Sequence, residues 1–219
     1  MIKKIFFSLL TFLSYCSCVS AQEIKTMQGK YCLTFTDFVN DQWNSIDSLS
    51  LKTRSKGQMI LAGGGDYQFE VPSDKQLEKL LKKQVLVVCI DDTYYVNLRK
   101  LKHKGAKFGV GFTIAYKTTD NKLVFNEKYI AFGVPASPVG LIGGAIAEVR
   151  DEKLEDKVCY LIKSDEGKVV CIDKDILPDL LVNHNDLLKI YSQVEGTNNK
   201  RNAAIVFPLL VKAGIISKP

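Results

Sequence analysis

The side chains able to do chemistry are few in this 219-residue chain, and they are scattered. There are two histidines, His103 and His184. His103 sits among Arg99, Lys100, Lys102, Lys104 and Lys107, where positive neighbours disfavour its charged form. His184 stands beside Asn183, Asn185 and Asp186, a setting that suits a helix junction better than proton transfer. No G-x-S-x-G elbow and no H-E-x-x-H pair occurs. Arg54-Ser55-Lys56-Gly57 followed by Gly63-Gly64-Gly65-Asp66 holds glycines, a lysine and a hydroxyl, but not in the order that cradles a phosphate; it reads as a turn between strands. Asp91-Asp92 also reads as a turn, because adjacent strand residues face opposite ways and two such carboxylates do not converge. Carboxylates from distant positions can still meet, as glycoside hydrolysis requires. No catalytic residue, metal ligand or cofactor is assigned.

Six cysteines are present, and Cys16 and Cys18 fall in the N-terminal leader. Cys32, Cys89, Cys159 and Cys171 match no zinc spacing. Each has apolar neighbours, which fits a small buried hydrophobe. Cys159 and Cys171 carry a second reading. They flank Ser164-Asp165-Glu166-Gly167, and a hairpin centred on Asp165 sets them face to face for a cross-strand disulfide.

Two stretches could make contacts. Residues 131–147 carry no charge, and include Pro135, Pro138 and four glycines, among them Gly140, Gly143 and Gly144. Gly140 and Gly144 are spaced to let two backbones approach closely. The segment is either a contact surface, for a protein partner, self-association or a membrane surface, or a buried connector where only Gly and Ala fit. The second stretch is the basic cluster of Lys100, Lys102, His103 and Lys104, which either attracts phosphate groups or is a solvated loop. No nucleic-acid reading motif accompanies it, so nucleic acid is not expected as a partner.

The elements that must hold these residues follow from periodicity and punctuation. Residues 31–35, 46–53, 67–71, 85–90 and 93–97 read as strands, and residues 22–29 as a mobile leader. A polar connection over 37–44 holds the single tryptophan, Trp43. Residues 107–117 and 122–132 flank a hairpin turn, and 158–162 pairs with 168–172. Ser73 and Gln76 form a capping-box pattern ahead of Leu77, Leu80 and Leu81, the one clear mid-chain helix. Asp175 and Asn185 can each cap a C-terminal helix, and a last helix covers 203–213 with Gly214 as its stop. Strands precede helices instead of alternating with them. The expected class is therefore α+β: an antiparallel sheet of hairpins, one mid-chain helix and a helical C-terminal region.

The front of the chain gives an address. Lys3 and Lys4 precede a short uncharged run over 5–14, and small residues lead to Val19-Ser20-Ala21. That is the layout of a secretory signal over residues 1–21, leaving 22–219 as one α+β domain. Cleavage after Ala21 fits better than lipidation at Cys18, because Tyr15 stands where a lipoprotein signal wants a Leu-like residue. Hydrophobic content of 46% with charged content of 25% is ordinary for a globular protein and does not indicate disorder.

The ordered set Tyr31-Cys32-Leu33-Thr34-Phe35-Thr36-Asp37-Phe38, Ile46-Asp47-Ser48-Leu49, Gly63-Gly64-Gly65-Asp66-Tyr67, Thr93-Tyr94-Tyr95-Val96-Asn97, Gly143-Gly144-Ala145-Ile146-Ala147, Val158-Cys159-Tyr160-Leu161 and Asn185-Asp186-Leu187-Leu188 resembles a family of small exported proteins of unknown function from gut Bacteroidetes. The resemblance implies export and one shared fold, and it carries no catalytic residue. The expected function is an exported cell-envelope or secreted module, not an enzyme, that binds a partner or a surface. The alternative is an exported hydrolase acting on carbohydrate or peptide.

Overall fold

The computed structural model of the protein describes residues 26–129 and 157–217. Residues 1–21, read from the sequence as a secretory signal, and Gly140, Gly143 and Gly144 lie outside the described residues. The class is α+β, with an antiparallel sheet and C-terminal helices.

Among the described residues nine strands form the main sheet: β1 (Met27–Cys32), β2 (Asn44–Thr53), β3 (Tyr67–Glu70), β4 (Val87–Ile90), β5 (Thr93–Asn97), β8 (Phe112–Lys117), β9 (Leu123–Lys128), β10 (Lys157–Ile162) and β11 (Val169–Cys171). A small hairpin of β6 (Lys102–His103) and β7 (Ala106–Lys107) stands apart from it. The order is β11-β10-β9-β8-β3-β2-β1-β4-β5, and β5 pairs back onto β8. Six strands thus close into a ring, and β9, β10 and β11 extend from it as a tail.

The ring has one thin seam. Phe112 is paired on one side with Asn97 of β5 and on the other with Tyr67, the only contact in register between β8 and β3. From Ala115 onward that second edge of β8 belongs to β9, through Ala115↔Phe125, Tyr116↔Val124 and Lys117↔Leu123. Between the two, Thr113 and Ile114 are left at a fork.

Alternation along the strands sorts the apolar residues onto two faces. Cys32, Val87, Val96, Phe125, Tyr160 and Cys171 share one core. On the opposite face lie two further cores. One fills the ring around Leu49, Phe69, Val88 and Tyr95. The other joins Val124, Cys159 and Leu161 to the C-terminal helices. Helix α3 (Lys75–Lys83) packs on the ring through Leu77, Leu80 and Leu81, the face expected from their spacing. Its cap is Asp74 rather than Ser73: the Asp74 carboxylate accepts from the amides of Gln76 and Leu77.

Two short helices replace segments expected to be strand or turn. The strand expected over 31–35 is shifted back to Met27–Cys32, and the supposed leader supplies half of it. Thr34 then opens α1 (Phe35–Val39), with Asp37 returning its carboxylate to the Thr34 amide at 2.9 Å. That reciprocal bond satisfies two amides that a helix start leaves free. Ser55 and Gln58 do the same for α2 (Lys56–Ala62), where only a turn was expected.

At the C-terminus, α4 (Leu177–Leu180) and α5 (Asn185–Ser192) start without a side-chain cap, so neither Asp175 nor Asn185 caps as expected. Asn202 caps α6 (Ala203–Lys212), and Gly214 follows at φ +66°.

Cys159 and Cys171 do not face each other. The hairpin register is Tyr160↔Cys171, one residue away from the expected one. A slip of one residue moves a side chain to the other face of a strand. Cys159 therefore points into the helix-covered core and Cys171 into the opposite one, and both thiols are buried and unbonded.

Candidate functional site

The glycine run is built around an arginine. Gly64 has φ +89°, and a Cβ there would stand 1.9 Å from the Val110 carbonyl oxygen. Only glycine lets this backbone lie against the chain before β8. Arg54, 5% exposed, fills the space between. Its Nη1 donates to the carbonyls of Gly63, Gly65 and Val110 at 2.9, 2.7 and 2.8 Å, and its Nη2 to Gln58 at 2.9 Å. Burial lowers the pKa of the guanidinium, opposed by the carboxylates of Asp66 and Glu127. Like any protein arginine it stays charged. The loop is held by its own cation and is not a phosphate cradle.

This knot places Asp66 and Tyr67 at the near side of the β8 fork. A cleft of about 150 Å³ opens there. Thr113, Ile114 and Tyr116 form its floor along β8. Asn126 of β9 and Lys157 of β10 close the far side, and the Lys157 ammonium lies 3.7 Å from the Asp66 carboxylate. The cleft falls where two cores part: Tyr67 packs on the ring core and Tyr116 on the helix-covered one. Each ring is braced by another aromatic, Tyr67 edge-on to Tyr95 at 5.4 Å and Tyr116 to Phe207 at 4.7 Å. Burial raises the Tyr116 phenol above its usual pKa, and the nearby Tyr67 adds to the shift.

Asn126 is the distinctive group. It shares its strand face with Val124, and its Oδ1 is buried with no hydrogen-bond partner among the described residues. A buried acceptor left unmade costs about 1–3 kcal/mol. Buried polar atoms in folded proteins are nearly always satisfied, and this one is closed to solvent on the cleft side as on every other.

The expected contact residues fall elsewhere. Lys100, Lys102 and Lys104 are exposed around the β6–β7 hairpin, whose Lys104-Gly105 turn has positive φ at both positions. His103 does not join them on the surface: it is 3% exposed. Alternation along β6 turns it inward, where its Nδ1–H donates to the Val169 carbonyl at 3.2 Å and Nε2 has no partner among the described residues. The His103 pKa is lowered, chiefly by burial, with Lys104 adding and the Val169 bond and Asp173 opposing. His184 lies at the start of α5, as its neighbours suggested.

A second hollow, of about 110 Å³, lies beside Arg54, Lys82 and Arg99. Lys82 is engaged by Glu78 at 2.6 Å and Arg54 by four carbonyl contacts, so it holds less unmet bonding than the fork cleft. Among the described residues no group of three His, Cys, Asp or Glu side chains could hold a metal, and no helix is long and apolar enough to cross a membrane.

Asp66, Asn126 and Lys157 were not singled out from the sequence. The one local signal was Asn126-Glu127 continuing the apolar run Leu123-Val124-Phe125, at positions in phase with buried neighbours.

Fold and cleft together define an antiparallel α+β protein with a small polar hollow at a sheet fork. Residues 30–216 match a family of unknown function, DUF6563, and the chain belongs to that family. No curated protein and no solved structure matches it.

Proposed function

We propose that the protein is an exported, non-enzymatic binding module and that the fork cleft is where it takes a small polar ligand. The observation that carries this reading is the cleft itself, where Asp66, Tyr67, Tyr116, Asn126 and Lys157 from four strands line one hollow. Two tyrosines braced from behind and a charge pair across the rim give the rigid apolar and polar surfaces that small-molecule sites combine. Export rests on the signal layout of residues 1–21 and on the resemblance to exported proteins.

The hydrolase alternative has less support. Two-carboxylate glycoside hydrolysis needs a second acid facing the first. Asp66 is the one carboxylate among the described lining residues, and it is paired with Lys157.

The test is a thermal-shift screen of the mature protein against a library of small polar compounds, run in parallel on Asn126→Leu. Ligands that bind the native state raise the melting temperature in proportion to the logarithm of their saturation. At least one compound should stabilise the wild type and not the variant. A library that never separates the two proteins would remove the cleft as the binding site.

A further inference from the structure

We infer that the second hollow, beside Arg54, Lys82 and Arg99, is a binding site for a phosphate group, free or carried on a small ester. It is separate from the fork cleft and stands or falls apart from it. The hollow measures about 110 Å³, room for one group of a few heavy atoms and well below the roughly 300–1,000 Å³ of sites for drug-sized molecules.

Its most buried donor is Arg54. Nη1 and Nη2 are spent on the carbonyls of Gly63, Gly65, Val110 and Gln58. Nε is not spent, since no described residue accepts its hydrogen. His103 Nε2 and Asn126 Oδ1 are the described side-chain atoms that are both unpartnered and closed to solvent, and Arg54 Nε is not among them. Arg54 lines this hollow and not the fork cleft, so the open edge of its guanidinium lies here. Gly111, also in the lining, leaves the arginine room: a Cβ there would stand 2.9 Å from Nη1 and 3.0 Å from Cδ.

Charge gives the sign of the ligand. Three cations from three elements line the hollow, Arg54 after β2, Lys82 of α3 and Arg99 after β5, and no carboxylate does among the described residues. Arg99 is exposed, and its guanidinium has no ion pair or hydrogen bond among the described residues. Lys75 and Lys82 share the single carboxylate of Glu78, at 3.2 and 2.6 Å, so that trio keeps one positive charge. Glu70, two residues along β3 from the lining Gln68, is taken by Lys52 at 2.6 Å. Asp66 and Glu127 lie within electrostatic reach of Arg54 but form no ion pair with it. Hydrogen-bond type then narrows the anion. Arg54, Lys82 and Arg99 only donate, and they reach the hollow from separate elements. A tetrahedral phosphate turns acceptor oxygens in several directions at once, whereas a carboxylate offers two in one plane. Arginine donors also match phosphate oxygens in geometry as well as charge.

The experiment is a heteronuclear NMR titration of isotope-labelled protein. The probes are inorganic phosphate and glycerol 3-phosphate, with acetate and chloride as control arms, all at one ionic strength because salt screens exposed charges. A site this small binds at roughly millimolar strength. Phosphate should give saturable shifts at the amides of Gln68, Lys82, Arg99 and Gly111, and the tighter of the two phosphates tells the free ion from the ester. Arg99→Gln removes a side chain that fastens nothing among the described residues, and it should weaken binding about tenfold. Lys104→Gln removes the same charge from the exposed β6–β7 turn and should leave the affinity unchanged. If neither phosphate moves those four amides, or if only the β6–β7 hairpin responds, the inference is wrong. Acetate or chloride acting as strongly as phosphate would also overturn it, by showing a cationic surface without selectivity. Shifts at Ile114 and Asn126 instead would put the anion in the fork, and the inference would fall while the binding module stands.

Discussion

Thr36 gives Asp165 both its backbone amide, at 2.8 Å, and its hydroxyl, tying two points 129 residues apart. The contact fastens α1 to the turn between β10 and β11. Lys100 stands close by, and a Cβ on Gly167 would meet its carbonyl oxygen at 2.3 Å. The carboxylate thus joins α1 to this turn, with Lys100 as a neighbouring charge. Burial pushes the Asp165 pKa up, but the Thr36 bonds and Lys100 bring it below its ordinary value. A lowered folded pKa means the stabilisation is present above the unfolded value of about 3.9 and is lost as pH falls through the folded one. Asp165→Ala should cost about 1 kcal/mol at neutral pH, modest because the pair is exposed. Urea denaturation should show that gap closing below about pH 4. A constant gap across pH would contradict the assignment.

Arg54 carries more. Removing it takes a donor from the carbonyls of Gly63, Gly65 and Val110, the last of which keeps only the Gly65 amide, and leaves Asp66 and Glu127 without their buried cation. Arg54→Met should destabilise by about 3 kcal/mol or more. Arg54→Lys should recover little, because one ammonium cannot reproduce the planar fork that spans four carbonyls. Chemical denaturation of both variants checks this; near-native stability of the lysine form would contradict it.

His103 should give a pH signature of the opposite kind. Its folded pKa lies below the unfolded value of about 6.5, because burial and then Lys104 outweigh the Val169 bond and Asp173. The unfolded chain therefore takes up the proton first. Stability from this site is complete above pH 6.5 or so and declines as pH falls below it. Among the described residues the Nε2 atom has no acceptor for an added proton. Comparing wild type with His103→Leu by thermal melting should show a loss between about pH 7 and pH 5 that the variant lacks. Parallel curves would contradict this reading.

The thiols should be inert in the native state. Burial raises Cys32 and Cys171 to about 12, with acidic neighbours helping, and drives Cys159 higher still. Cys32, Cys89, Cys159 and Cys171 should resist alkylation until the protein is unfolded, and all four should then react. Recovery of a linked peptide containing Cys159 and Cys171 would contradict the register.

What the sequence showed and hid follows from range. Val87–Ile90 was legible because a central strand buried on both faces is apolar throughout. Leu77, Leu80 and Leu81 revealed α3 because helical spacing is local. The two short helices were missed although each begins with a complete capping box, Thr34 with Asp37 and Ser55 with Gln58; the first lay under an apparent alternation and the second between glycine signals. The cysteine pairing failed on a one-residue shift, which no local pattern fixes. The cleft was invisible for a deeper reason. It exists because β8 exchanges β3 for β9 on one edge while β5 closes the other, and those pairings join residues far apart in sequence.

The central claim is that the cleft at the β8 fork takes a small polar ligand. A crystal structure of the protein grown with the compound that most raises its melting temperature tests it most directly. The account predicts that compound in the fork between Tyr67 and Tyr116, in contact with Asp66 and Asn126. An empty fork, with the compound bound elsewhere on the molecule, would contradict it.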